Sequence, residues 1–217
     1  MQSNSVGLIP TSRFDAFSDG VFAIAITLLV LELEVPQGGD DLLGELGHEW
    51  PSFLGYLVSF AFIGSVWIAH STLGKFLRAA DQLLVGLNLL LLLFVSLLPF
   101  TTSLMATHLS NRDGEHVAVV VFGLNLFMAS LLINAMLRHA ARSDDLMDGD
   151  DGPALKSFAR SRRVSLIVQG GATVLGFFLP RVAVVIYLVI SLLLLLGPIW
   201  GAMRQHRSGG RAASPAQ

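Results

Sequence analysis

Three polar side chains stand out in a chain that is otherwise strongly apolar: Asp19, His70 and Asn88. Asp19 lies six residues beyond Arg13, within the run RFDAFSDGVFAIAITLLVLELEV at 13–35. His70 lies five residues before Lys75, and Asn88 seven residues after Asp81. With Arg13, Lys75 and Asp81 marking one surface, a helical rise of ~1.5 Å per residue puts the three at roughly 9, 7.5 and 10 Å from it. They share a layer with Ser18, with Arg13 at its edge and Trp67 one turn deeper than His70. Histidine titrates near neutral pH and a carboxylate can take its proton, so one chemistry for this layer is a proton relay or a pH-sensing gate. The other is cohesion, in which buried polar groups pair and staple helices together. The residues alone leave both open.

The elements that position this layer are membrane helices. Hydrophobic residues make up 53% of the 217 and charged ones 14%, against about 25% charge in a soluble domain. A spanning helix needs about 20 mostly apolar residues. Six segments qualify, at about 14–35, 51–74, 82–107, 116–138, 164–180 and 182–203. Pro180 and Arg181 separate the last two, since proline cannot continue the helical ladder and a charge at mid-membrane is costly. Pro99 is expected to kink the third. Ser12 and Asp15 fit a capping pattern at the start of the first.

Charge sets the orientation. With the N-terminus inside, all Lys and Arg except Arg112 and Arg181 fall on the inner side, so both ends are expected in the cytoplasm. The expected organisation is a cytoplasmic N-terminus at 1–12, a six-helix domain at 13–206 and a disordered cytoplasmic tail at 207–217. The acidic segment 143–157 is expected as a flexible cytoplasmic loop. There is no cysteine, which excludes disulfides and thiolate chemistry. No H-E-x-x-H or G-x-S-x-G pattern is present, so an enzyme is not expected. No T-V-G-Y-G segment offers a carbonyl ion filter.

The first span also carries a directional pattern. At about 100° per residue from Ile24, Leu28 falls about 40° to one side, Leu31 about 20° and Thr27 about 60° to the other. Such a stripe ordinarily means packing or lipid contact. Glu32 and Glu34 fall about 80° to either side of Ile24 at the far end. They either draw cations to an outer mouth or mark the membrane–water boundary.

Arg13, followed after three residues by Phe17-Ser18-Asp19, resembles the R-x-x-x-F-S-D signature of the transmembrane protein 175 family of potassium channels. The continuation GVFAIAITLLVLEL is similar to bacterial members, and Trp67 and His70 fit what the family places against the signature. The resemblance implies an all-α integral membrane protein of six transmembrane helices per subunit. Four subunits would form a homotetramer, with the first helix of each lining a central pore. It further implies that Ile24 is the constriction, that Leu28 and Leu31 form further apolar rings, and that Thr27 bears on potassium preference. Animal members have a serine where this chain has Ala23. The implied activity is passive, potassium-preferring cation conduction in a bacterial cell membrane, with potassium as the permeant ion. The implied partners are sister subunits, the bilayer and monovalent cations, with no nucleic acid, bound metal or cofactor. A proton-coupled transporter or proton-conducting channel using Asp19 and His70 is the alternative.

Overall fold

The structure, a computed structural model, describes residues 10–33, 42–111, 113–143, 146 and 152–209, leaving aside the side chains at 110–111, 152–157, 161 and 198–209. Its elements are all helical: α1 (Thr11–Leu28), a 3-10 turn (Leu29–Glu32), α2 (Leu42–His48), α3 (Trp50–Phe76), α4 (Gln82–Ser96), α5 (Leu98–Asn111), α6 (Glu115–Ala140), α7 (Gly152–Leu175) and α8 (Pro180–Gly209). Among the described residues, five helical stretches are long and apolar enough to cross a membrane: Thr11–Glu32, Trp50–Phe76, Gln82–Leu109, Glu115–Ala140 and Pro180–Gly197. The chain is a multi-pass membrane protein.

Several boundaries depart from the sequence reading. The third span is one crossing made of two helices, α4 and α5, which meet at Leu97. Pro99 has no N–H to offer the carbonyl four residues back, so the ladder breaks just before it. The segment expected as the fifth span, 164–180, lies mostly within α7, which begins at Gly152 and ends at Leu175. Residues 152–157, expected within the acidic loop, are therefore helical, whereas 144–145 and 147–151 lie outside the described residues. Arg160, Arg162 and Arg163 sit in the first half of α7, and it is not among the five apolar stretches. α8 opens on Pro180 itself, because a missing N–H costs nothing in a first helical turn. No side chain caps α1, whose N-cap is Pro10. Ser12 is inside the helix, and the Asp15 carboxylate lies against Gly74 of α3 instead. Residues 207–209, expected in the disordered tail, are still helical within α8, and 210–217 lie outside the described residues.

Apolar burial gives membrane helices little reason to associate, because lipid is as apolar as leucine. Close approach and polar pairs hold them instead. Ser59 of α3 and Thr102 of α5 share a hydrogen bond of 2.6 Å. The Asn125 amide of α6 donates to the Thr101 hydroxyl of α5 at 3.1 Å, whereas Asn134 donates to Ser130 of its own helix. Tyr187 of α8 donates to Thr173 of α7 at 3.1 Å. A Cβ at Gly123 would run into that tyrosine hydroxyl, so only glycine lets α6 and α8 meet there. α6 packs on α4, α5 and α7 and is the most buried span; α1 is the least buried and lies on α3 and α4.

Ion pairs tie both ends of the bundle. At one end Arg181 donates to Glu115 at 3.1 Å. At the other, Asp81 caps α4 by accepting from the Leu84 amide at 2.8 Å and receives His139 Nε2 at 2.7 Å. Burial alone would raise the Asp81 carboxyl. The Leu84 amide and His139 outweigh it and hold the group below its ordinary value of 3.8. Its contribution to stability is therefore complete above that ordinary value and fades as pH falls through the lower, folded-state one. Asp81→Ala should cost about 1 kcal/mol through the lost cap. Thermal melts of the purified protein at pH 7 and at pH 3 check this, and the deficit should shrink at pH 3.

Candidate functional site

The inward face of α1 is spelled by Phe14, Ser18, Phe22 and Ala25, all buried, with Leu29 continuing it in the 3-10 turn. These positions recur at helical spacing, so one stripe of α1 docks on α3 and α4. In its middle stands a chain of hydrogen bonds through three helices. His70 Nε2 lies 3.0 Å from Asn88 Oδ1. Asn88 Nδ2 donates to Ser18 Oγ at 2.9 Å, and Ser18 Oγ donates to the Phe14 carbonyl at 2.9 Å. The asparagine oxygen can only accept, so Nε2 of His70 carries the hydrogen and the direction of every link follows. All three side chains are buried, at 0–2% exposure. Phe14 stacks on the imidazole with ring centroids 5.3 Å apart, and the Phe22 ring meets it edge-on at 5.7 Å.

Asp19 is not part of this chain. Its Oδ1 accepts from Trp67 Nε1 at 2.9 Å, on the exposed side of α1. The layer expected from the sequence is thus two separate units, Ser18–Asn88–His70 inside and Asp19–Trp67 outside. Arg13 is exposed, and no ion pair holds it among the described residues. The two rings that enclose His70 were missed, although the spacing Phe14-x3-Ser18-x3-Phe22 was there to be read.

Among the described residues, the opposite face of α1 is largely exposed. Phe17 is 57% exposed, Ile24 62%, Leu28 42% and Leu31 74%. Phe17 falls about 20° from the Ile24 direction, so the signature phenylalanine belongs to this stripe and not to the polar layer. Ala23 and Thr27 are exposed beside it. The Thr27 hydroxyl lies 2.9 Å from the Ile24 carbonyl and 3.1 Å from that of Ala23. Its hydrogen is committed to the backbone, which leaves the oxygen's lone pairs free to accept. Leu31 and Glu32 lie in the 3-10 turn, where winding advances about 120° per residue. That keeps Leu31 in line with Leu28 but turns Glu32 to about 160° from Ile24, and Glu32 is half-buried. Glu32 therefore does not flank the Ile24 face as expected. Glu34 lies outside the described residues.

Between α1 and α3, a cleft of about 400 Å³ opens beside Asp19, lined also by Ile26, Ile63, Gly64 and Trp67 among others. Asp19 is exposed within the first membrane span, and a carboxylate there is expensive against lipid.

The family model for the endosomal/lysosomal potassium channel TMEM175 matches residues 13–99. A potassium channel of Streptomyces collinus is 39% identical over 150 residues, spanning 68% of this chain and 73% of that protein. The chain belongs to the TMEM175 family. A potassium channel of Chamaesiphon minutus is 41% identical over 141 residues, spanning 63% of this chain and 69% of the relative. The crystal structure of a lysosomal potassium-selective channel TMEM175 homolog from the same organism superposes with a TM-score of 0.77 at 33% identity, covering 86% of this chain and 96% of that one. TMEM175 proteins are ion channels rather than enzymes. The matched region runs from the signature Arg13 through α4 and takes in His70, Asn88 and the exposed stripe of α1.

Proposed function

We propose that this chain is one subunit of a homotetrameric, potassium-preferring cation channel in a bacterial cell membrane. Six crossings per subunit place both termini in the cytoplasm, with α7 as the fifth. The observation that carries this reading is the exposed stripe of α1 formed by Phe17, Ile24, Leu28 and Leu31, with an acceptor oxygen of Thr27 at its edge. Four copies around an axis bring the stripes together as rings at Phe17, Ile24, Leu28 and Leu31, with water inside.

Ile24, Leu28 and Leu31 offer no oxygen to replace an ion's water shell, so their rings act by width and by ease of wetting. Potassium yields its hydration water more readily than sodium and passes a narrow apolar ring at lower cost. Thr27 adds one oxygen per subunit beside the Ile24 ring. The alternative, a proton path through Asp19 and His70, has less support. The two residues do not touch, and the neighbour that His70 binds is an asparagine amide, which has no readily titrated proton to pass on.

Purified protein in planar bilayers, with potassium chloride on one side and sodium chloride on the other, tests the reading. The reversal potential should lie toward the potassium equilibrium potential, with unitary current steps. A reversal that followed an imposed pH gradient would favour the proton path, and the absence of steps would end the channel reading.

A further inference from the structure

Outside the first helix, two pairs of arginines meet across one cleft. Arg138 and Arg142 are four residues apart near the end of α6, and Arg160 and Arg163 are three apart in α7. Each spacing puts both side chains on one face of its helix. α6 and α7 pack together, and the two faces line a cleft of about 220 Å³ with Ala141 and Ala159 between them. Both alanines are buried, and their small side chains keep the space open. Arg142, Arg160 and Arg163 are exposed, and Arg138 is half-buried. Among the described residues the ion pairs are His139–Asp81 and Arg181–Glu115, so no carboxylate there answers these four guanidinium groups. The Nε of Arg138 is buried without an acceptor.

Four fixed positive charges with an orphaned donor among them call for an anion with several acceptor oxygens. The planar fork of arginine matches phosphate better than it matches a monatomic ion. The surroundings suggest what carries the phosphate. The cleft adjoins His139 and so lies at the Asp81 end of the bundle, the cytoplasmic side in the topology above. Directly along α7 from Arg163, Val164, Ile167 and Val168 are exposed, forming an apolar ledge. An anionic head beside an exposed apolar ledge is the profile of a phospholipid at the inner interface.

We propose that the Arg138–Arg142–Arg160–Arg163 cleft binds the phosphate of an anionic phospholipid headgroup in the cytoplasmic leaflet. Soluble phosphate has the same chemistry, and the ledge along α7 is what favours the lipid. The proposal rests on the membrane placement of the chain but not on conduction, so it is tested by lipid retention and not by current.

The experiment is native mass spectrometry of the purified protein in micelles holding equal amounts of phosphatidylglycerol and phosphatidylcholine. Wild type should retain phosphatidylglycerol preferentially. Arg142→Gln/Arg163→Gln should cut that preference by about 25-fold, at about fivefold per arginine. Both side chains are exposed, so the variant should keep its fold, which an unchanged elution volume checks. Arg160→Gln alone should give about a fivefold loss, which keeps the test decisive if the double variant fails to assemble. Equal retention of the two lipids by wild type, or a preference that survives the substitutions, would overturn the proposal. Displacement of phosphatidylglycerol by millimolar inorganic phosphate would overturn it in favour of a soluble ligand.

Discussion

Asn88→Leu should lower the yield of assembled protein sharply, and adding His70→Phe should recover part of the loss. Asn88 links Ser18 of α1 to His70 of α3. Without it, the His70 Nε2 hydrogen is buried with no acceptor, at a cost of about 1–3 kcal/mol. Interhelical hydrogen bonds inside membranes average nearer 0.6 kcal/mol, so the lower end of that range applies. In a tetramer the cost recurs in every subunit, and about 1 kcal/mol each becomes about 4 kcal/mol for the assembly. A chain containing a carboxylate would lose more, but Asp19 sits outside it, bonded to Trp67. Phenylalanine at position 70 removes the orphaned donor and can stack where the imidazole does, between Phe14 and Phe22. The check is the fraction of each variant that elutes as assembled protein, together with its thermal midpoint. A double variant no better than Asn88→Leu would sink the staple reading. A double variant that assembled well but lost a pH-dependent current seen in wild type would make the layer a titrating gate instead.

Ile24→Ala should raise single-channel current several-fold and pull the potassium preference toward unity, with assembly intact. The side chain is 62% exposed in its own subunit, so trimming it leaves no cavity in the fold. In the proposed tetramer its effect would fall on the space around the axis, where four shortened side chains would widen the ring and ease its wetting. Leu28→Ala, at 42% exposure, should act in the same direction but more weakly. Thr27→Val separates width from chemistry. It keeps the shape and removes one acceptor oxygen per subunit, and its hydroxyl bonds only to its own helix backbone, so folding should be unaffected. At about 1 kcal/mol for the lost ion–oxygen contact, the potassium-to-sodium permeability ratio should fall about fivefold. Bi-ionic reversal potentials measure each case. If all three variants kept the wild-type reversal potential, this face of α1 would not be the conduction path.

Much of the arrangement was legible because membrane physics constrains sequence tightly. A crossing helix must be long and apolar, and the apolar runs around α1, α3, α4–α5, α6 and α8 show this without any tertiary information. A polar group at depth needs a partner, so placing Ser18, His70 and Asn88 at one depth was enough to expect their contact. Helical periodicity put Ile24, Leu28 and Leu31 on one face but left packing, lipid contact and pore lining open; the family resemblance alone implied a pore, and the structure shows the face exposed.

What needed the tertiary structure was partner choice and local winding. Depth alone could not say whether Asp19 bonded to His70 or to Trp67; that depends on the rotation of α1, which the burial of Phe14, Ser18 and Phe22 sets. The switch from α to 3-10 winding at Leu29 turned Glu32 off the Ile24 face, a change of hydrogen-bond register that leaves the same apolar letters. The arginines of α6 and α7 read along the chain only as inner-side charge. They became a cleft because the two helices pack side by side with alanines between them, and pairing between distant segments depends on surfaces that exist only once the helices are formed.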